Sequence, residues 1–315
     1  MCMIVKNKYI DPFTDFGFKW IFGTEENKQL LISFLNDLLE LEDKIVNVTY
    51  RNLEKLGLNI TDRKAVFDIF CTDEKDNDFI VELQRGQQQY FKDRSIFYTS
   101  FPIQDMSKKG DWNYNLKKIY FIGILEFTFD DMRKSESKKT VSIKKEDRTY
   151  MTKVQLCDTD TKELFYDKLT YIYIEMPKFK KSEKELANHL EKWLYFLNNV
   201  EDLSHIPKEF KDDEVLENAF DIAEFLALDE DKKFAYQHDL KTRLDYKNIM
   251  DYAKSKAEKL GVEIGMEIGI EKGIENRNIE IVEKSFKKGL DIDTICDLIE
   301  LPFEEVSRIL DKIRK

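Results

Sequence analysis

Two acidic residues interrupt stretches that are otherwise apolar: Asp68 within Val66-Phe67-Asp68-Ile69-Phe70, and Glu82 within Ile80-Val81-Glu82-Leu83-Gln84. Between them lies Thr72-Asp73-Glu74-Lys75-Asp76-Asn77-Asp78, a polar, Asp- and Asn-rich segment with the chemistry of a hairpin loop. A hairpin symmetric about Lys75 sets Asp68 opposite Glu82, with Cβ atoms about 4.5 to 5.5 Å apart. Two like charges that close in a partly buried place repel, so either one takes up a proton or a cation lies between them. Converging oxygen ligands suit Mg²⁺, which is commonly held by one or two protein carboxylates plus substrate phosphate and water. Such an ion turns water into a nucleophile and offsets charge on a phosphate and its leaving oxygen, which is the chemistry of phosphodiester hydrolysis. Period-two alternation puts Gln84 on the side of Glu82 and turns Val81 and Leu83 to the other, predicting one polar and one oily face. The residues leave a second reading open, in which Asp68 and Glu82 are solvated and pair with Arg63, Lys64 or Arg85.

Other candidates come in pairs at helical spacing. Asp15 and Lys19 lie four apart, placing an acid and a base near a metal or forming a surface ion pair. Arg94 and Tyr98 are also four apart; Arg94 is suited to grip a phosphate or brace a carboxylate, and Tyr98 either joins that face or packs in the core. The basic stretch from Lys134 to Arg148 reads as a phosphate-gripping loop or a solvated flap. His189, His205 and His238 are scattered, which argues against a Ser/His/Asp triad or histidine-bound zinc. Cys2, Cys71, Cys157 and Cys296 are too dispersed for a zinc pattern and too few for a disulfide scaffold, so they are expected to be reduced thiols.

Val66-Phe67-Asp68-Ile69, Glu82-x-Gln84, the following Arg94 and Tyr98, and the opening Asp11-Pro12-Phe13-Thr14-Asp15-Phe16-Gly17-Phe18-Lys19 together resemble the Rpn or transposase-associated branch of the PD-(D/E)XK nuclease superfamily. The resemblance extends to the glycine-spaced helix and the terminal helical unit described below. It implies an α+β fold, a restriction-endonuclease-like α/β/α core with a mixed sheet flanked by helices, followed by an all-α C-terminal part. It further implies a Mg²⁺-dependent DNA endonuclease, with Mn²⁺ as a substitute ion, working in recombination, mobile-element or defence biology. Asp68 would be the first metal ligand and Glu82 the second, with Gln84 standing where that superfamily usually has Lys. Asp15, Lys19, Arg94 and Tyr98 would be auxiliary. Lys supplies fixed positive charge, whereas Gln offers only neutral hydrogen bonds, so charge must come from the metal or a neighbour such as Arg94. The competing reading is a nuclease-derived scaffold, or DNA- or protein-binding protein, that has lost catalysis. A transposase with an RNase H-type acidic triad fits less well, because no third acid stands on a suitable strand.

The elements that must position these residues follow from periodicity. Phe13, Phe16, Trp20 and Ile21, then Leu30, Leu31, Phe34, Leu35 and Leu38, recur at helical spacing with Gly23 to Asn27 between. Strands are predicted over 66–71, 79–83, 118–127 and 169–176, and helices over 87–99, ending before Pro102, and 185–197. Beyond Asn198 the pattern is helical. Gly261, Gly265, Gly269 and Gly273 recur every fourth position among Val262, Ile264, Met266, Ile268, Ile270 and Ile274. Each costs about 1 kcal/mol in a helix relative to Ala, and small residues four apart let a second helix approach, so self-association is one reading and a tolerated repeat the other. From Ile279 onward three short helical pieces break at Gly289-Leu290-Asp291 and Glu300-Leu301-Pro302, with Asp291 and Pro302 as helix starts. Expected domains are 1–200 (nuclease-like), 201–278 (helical) and 279–315 (helix-turn-helix-like).

Composition bounds the rest. The chain has 315 residues, 42% hydrophobic and 13% aromatic, enough to build a core and too much for a disordered chain. Its net charge of −11 is uneven: 32 basic and 33 acidic residues stand in 1–200, against 19 and 29 afterwards. A near-neutral first part with local basic stretches can present a positive groove to phosphates. The terminal 37 residues hold seven basic and nine acidic side chains, which favours a protein partner over DNA contact there. No apolar run reaches the roughly 20 residues of a membrane helix, and no secretory signal is visible, so the expected location is cytoplasmic.

Overall fold

In the computed structural model, which describes residues 7–52, 54–55, 65–107, 113–129 and 150–313, apolar side chains occur on both sides of the central strands. A sheet that is oily on both faces must be covered on both. The strands are β1 (Val48–Tyr50), β2 (Glu54–Lys55), β3 (Ala65–Val66), β4 (Ile69–Asp73), β5 (Asp78–Gln84), β6 (Ile119–Leu125), β7 (Met151–Cys157) and β8 (Leu164–Glu175). Six form one mixed sheet in the order β1-β4-β5-β6-β8-β7, with β5/β6 and β6/β8 parallel and the other pairs antiparallel. β2 and β3 pair separately.

Helices α1 (Asp15–Phe22) and α2 (Lys28–Leu39) cover one face with α4 (His189–Asn199) and α5 (Glu214–Ala223). They pack on Ile69, Cys71, Phe79, Val81, Ile122, Ile124, Ile172 and Ile174. Alternate residues of the same strands, Phe70, Ile80, Phe121, Tyr171 and Tyr173, face the other way against α3 (Phe91–Ser107). Because α3 connects the parallel strands β5 and β6, the acids of β5 and the side chains of α3 meet on one face. Local sequence fixes the helix starts: Thr14, Asn188 and Asp213 each accept a backbone N–H of the first turn of α1, α4 and α5.

Three expectations need correction. The strand predicted over 66–71 is broken, ending at Val66 and resuming at Ile69 with a bend at Asp68. The Asp68 carboxylate takes the Leu83 N–H, so a side chain replaces a ladder acceptor there. The helix predicted to stop before Pro102 starts at Phe91 and runs through the proline to Ser107. Burial of Phe91, Tyr98 and Phe101 outweighs the missing bond, which costs about 3 kcal/mol in a helix interior. The side of β5 that carries Glu82 is an aromatic interior under α3 rather than a polar surface. β7, whose side chains are mostly exposed, had no apolar alternation to announce it.

The chain divides into two compact units, Met1–Arg243 and Leu244–Lys315, within the 58-residue helix α6 (Glu230–Lys287). In the second unit α6 is followed by α7 (Ile292–Ile299) and α8 (Phe303–Ile313), and the three close on Val282, Ile295, Val306, Ile309 and Leu310. Gly289 ends α6 in the left-handed region at φ 84°, where a side chain would be strained. Asp291 caps α7 by accepting the Thr294 N–H at 2.9 Å. Among the described residues no helix is long and apolar enough to cross a membrane. The Lys134–Arg148 stretch, Arg63 and Lys64 lie outside the described residues.

Candidate active site

The register of the β4/β5 hairpin, Ile69 with Val81, Phe70 with Ile80 and Cys71 with Phe79, carries Asp68 to the side of Glu82 at the open end of the ladder. Phe67 anchors the bend, buried against the rings of Phe70 at 5.3 Å and Tyr98 at 5.1 Å. Asp68 and Glu82 then hold each other through the backbone. The Asp68 N–H donates to Glu82 Oε1 at 3.2 Å, and the Leu83 N–H donates to Asp68 Oδ2 at 2.7 Å. Glu82 is 2% exposed, which removes the solvated reading for it.

Opposite Glu82 on β6 stands Gly123. A methyl group there would come within 3.3 Å of both Phe91 and Tyr173, so glycine lets the first turn of α3 settle onto the strand. That seating brings Arg94 over the acids. One terminal nitrogen donates to Glu82 Oε2 at 3.1 Å, the other to Gln84 Oε1 at 3.2 Å and Gln88 Oε1 at 2.9 Å, and the guanidinium lies over the Tyr98 ring at 4.9 Å. Tyr98 is thus both core and site wall. Gln84 has its carbonyl oxygen turned to Arg94 and its Nε2 donating to Gly86 O at 2.8 Å.

Asp15 and Lys19 pair with each other at 2.9 Å on α1, half exposed at the rim. They act on Asp68 through their charges. The structure therefore brings Asp68, Glu82, Gln84, Arg94 and Tyr98 into one hydrogen-bonded or stacked group, with Asp15 and Lys19 beside it.

Burial raises the Asp68 carboxyl above the usual carboxylate range; the Leu83 N–H and the charges of Lys19 and Arg94 oppose this, and Asp15 adds to it. Burial first, and the charge of Asp68 second, push Glu82 up to about 8, against the pull of Arg94. Neither acid is comfortable as an anion, which is the condition a bound cation relieves. Among the described residues no group of three or more His, Cys, Asp or Glu side chains could hold a metal, so any ion here would rest on two carboxylates completed by water and substrate oxygens. That donor set fits Mg²⁺ and does not fit zinc.

Some contributors had no signal in the sequence. Arg243 of α6 is half-buried between Asp11 Oδ2 at 2.6 Å and both oxygens of Glu126, at 2.6 and 2.7 Å. The Glu126 N–H in turn donates to Gln84 O at 3.0 Å, so Arg243 steadies the end of β5 across more than 100 residues of chain. Arg85 faces Asp239 at 3.9 Å and leaves Glu82 to Arg94.

A mixed sheet clad in helices, with an Asp and a Glu-x-Gln meeting at the mouth of one hairpin, defines a nuclease-type fold. The family model of the PD-(D/E)XK nuclease family transposases matches residues 12–253, and the chain belongs to that family. The match takes in Asp15, Lys19, Asp68, Glu82, Gln84, Arg94 and Tyr98 and stops short of Gly261. No curated protein and no solved structure matches the chain.

Proposed function

We propose that the chain is a Mg²⁺-dependent DNA endonuclease, with Mn²⁺ able to replace Mg²⁺, acting in the cytoplasm in recombination, mobile-element or defence biology. The observation that carries this reading is the reciprocal seating of Asp68 and Glu82, two acids held together where burial disfavours both charges. Asp68 and Glu82 hold the ion. When bound, it supplies positive charge to a phosphate oxygen and lowers the pKa of water. Gln84 orients the attacking water through its amide, and Arg94 contributes the fixed charge that Gln84 lacks. Lys19 and Asp15 flank the approach of the backbone, and Tyr98 supports the guanidinium from beneath.

One observation favours a second reading, a non-catalytic scaffold: the Gln84 amide nitrogen is engaged by Gly86 O and Glu82 is already paired with Arg94. Supercoiled plasmid separates the two. With Mg²⁺ or Mn²⁺ the wild type is expected to nick, and EDTA, Asp68→Asn or Glu82→Gln to abolish nicking. Cleavage surviving in the variants contradicts the residue assignment, and a wild type inert on DNA and RNA favours the scaffold.

We assign residues 1–200 to the nuclease domain, 201–278 to a helical region and 279–315 to a small helix-turn-helix-like unit that docks a protein partner. The Gly261–Gly273 stretch is proposed as a self-association face. There a repeat of four sets the glycines in one stripe flanked by stripes of Val262, Met266 and Ile270 and of Ile264 and Ile268, all exposed.

A further inference from the structure

We infer that the Arg94 guanidinium is a latch on the carboxylate pair, released by a substrate phosphate, so that metal and nucleic-acid backbone bind cooperatively. This rests on the metal-dependent reading above. Both Glu82 oxygens are engaged, Oε1 by the Asp68 N–H at 3.2 Å and Oε2 by Arg94 at 3.1 Å. A divalent ion at Glu82 Oε2 meets a guanidinium already seated on that oxygen, and the repulsion between the two positive charges favours the departure of one of them. Of the two partners Arg94 is the one free to move: its side chain is 31% exposed against 2% for Glu82, and it reaches Glu82 from the first turn of α3. A guanidinium leaving a carboxylate is best satisfied by another acceptor with two oxygens at fixed spacing, and the non-bridging oxygens of a phosphodiester provide it.

The same movement frees Gln84 Oε1, which the other arm of the fork holds, while Nε2 stays on Gly86 O. Phosphate arrival thus frees Glu82 Oε2 and the Gln84 carbonyl oxygen together. In the absence of nucleic acid the site stays latched, which restrains idle metal loading. Coupling of this kind is reciprocal: whatever factor DNA adds to metal affinity, metal adds to DNA affinity.

The test is Mn²⁺ titration of the full chain by calorimetry, alone and saturated with a cleavage-resistant phosphorothioate duplex. Wild type is expected to bind Mn²⁺ about tenfold more tightly with the duplex than without it. Arg94→Gln should bind Mn²⁺ alone about tenfold more tightly than wild type and gain nothing from the duplex. Arg94→Lys, which keeps a charge but cannot bridge Glu82 and Gln84, should fall between. Lys92→Gln removes the same charge two residues away without touching Glu82 and should behave as wild type. Circular dichroism confirms that each variant is folded. Unchanged or weaker Mn²⁺ binding by folded Arg94→Gln, or an equal gain in Lys92→Gln, overturns the latch alone. Absence of Mn²⁺ binding from every form, with and without duplex, overturns the metal site along with it.

Discussion

Glu82 carries a carboxyl that burial and Asp68 push up to about 8, so from the ordinary Glu range to that pH the folded chain keeps a proton the unfolded chain has released. Stability from this group is fully present below the unfolded pKa of 4.5 and is lost as pH rises through about 8. Metal-free wild type should lose on the order of 5 kcal/mol across that window, a loss that Glu82→Gln abolishes, as urea unfolding at a series of pH values will show. A variant more stable than wild type at pH 8 yet unable to nick DNA would place Glu82 among residues kept for chemistry at the expense of stability. The pairing of Asp68 with Glu82 was legible because two acids in apolar runs around a symmetric polar loop have one simple register. Their grip through the backbone was not, since it depends on a bend that the strand pattern of Val66 to Cys71 hides.

At the scale of elements, α3 decides whether the site is assembled, and Gly123 decides how α3 lies. Gly123→Ala should cost about 1 to 3 kcal/mol by thermal unfolding and, through the displaced first turn of α3, weaken nicking more than the stability loss accounts for. Away from the site, His189 joins three helices, its Nδ1 on Asp37 of α2 and its Nε2 on Asp213, the cap of α5, at 2.9 Å. The hydrogen bond to Asp37 leads the effects that raise its pKa. Its contribution is therefore complete below the usual histidine range and declines as pH climbs past the raised value. His189→Gln should lower stability by about 1 kcal/mol at pH 6 and progressively less above it. A difference that grows with pH would contradict the clamp. The helices and central strands were readable from periodicity. The passage of α3 through Pro102 and the exposed strand β7 were not, because tertiary burial overrides the first and the second has little apolar alternation.

For the whole molecule, the uneven charge and the repeat-rich C-terminal half pointed to two kinds of work, and the family match spans 12–253 without reaching the glycine stripe. A methyl group on Gly261, Gly265, Gly269 or Gly273 would meet nothing within 4 Å among the described residues. Within one chain, then, Gly265→Ala with Gly269→Ala should stabilise α6 by about 1 kcal/mol per site. If the stripe is a self-association face, the same pair of substitutions should halve the mass seen by light scattering. An unchanged mass would remove that role. What the sequence could not announce is the set of contacts made over long separations, such as Arg243 with Asp11 and Glu126, which no local pattern encodes. Metal-dependent cleavage by this chain requires one divalent ion shared by the two carboxylates. A crystal grown with Mn²⁺ and a short duplex should show one anomalous peak in contact with both Asp68 and Glu82, with Arg94 moved onto a phosphate. A peak elsewhere, or none while Arg94 remains on Glu82, would contradict it.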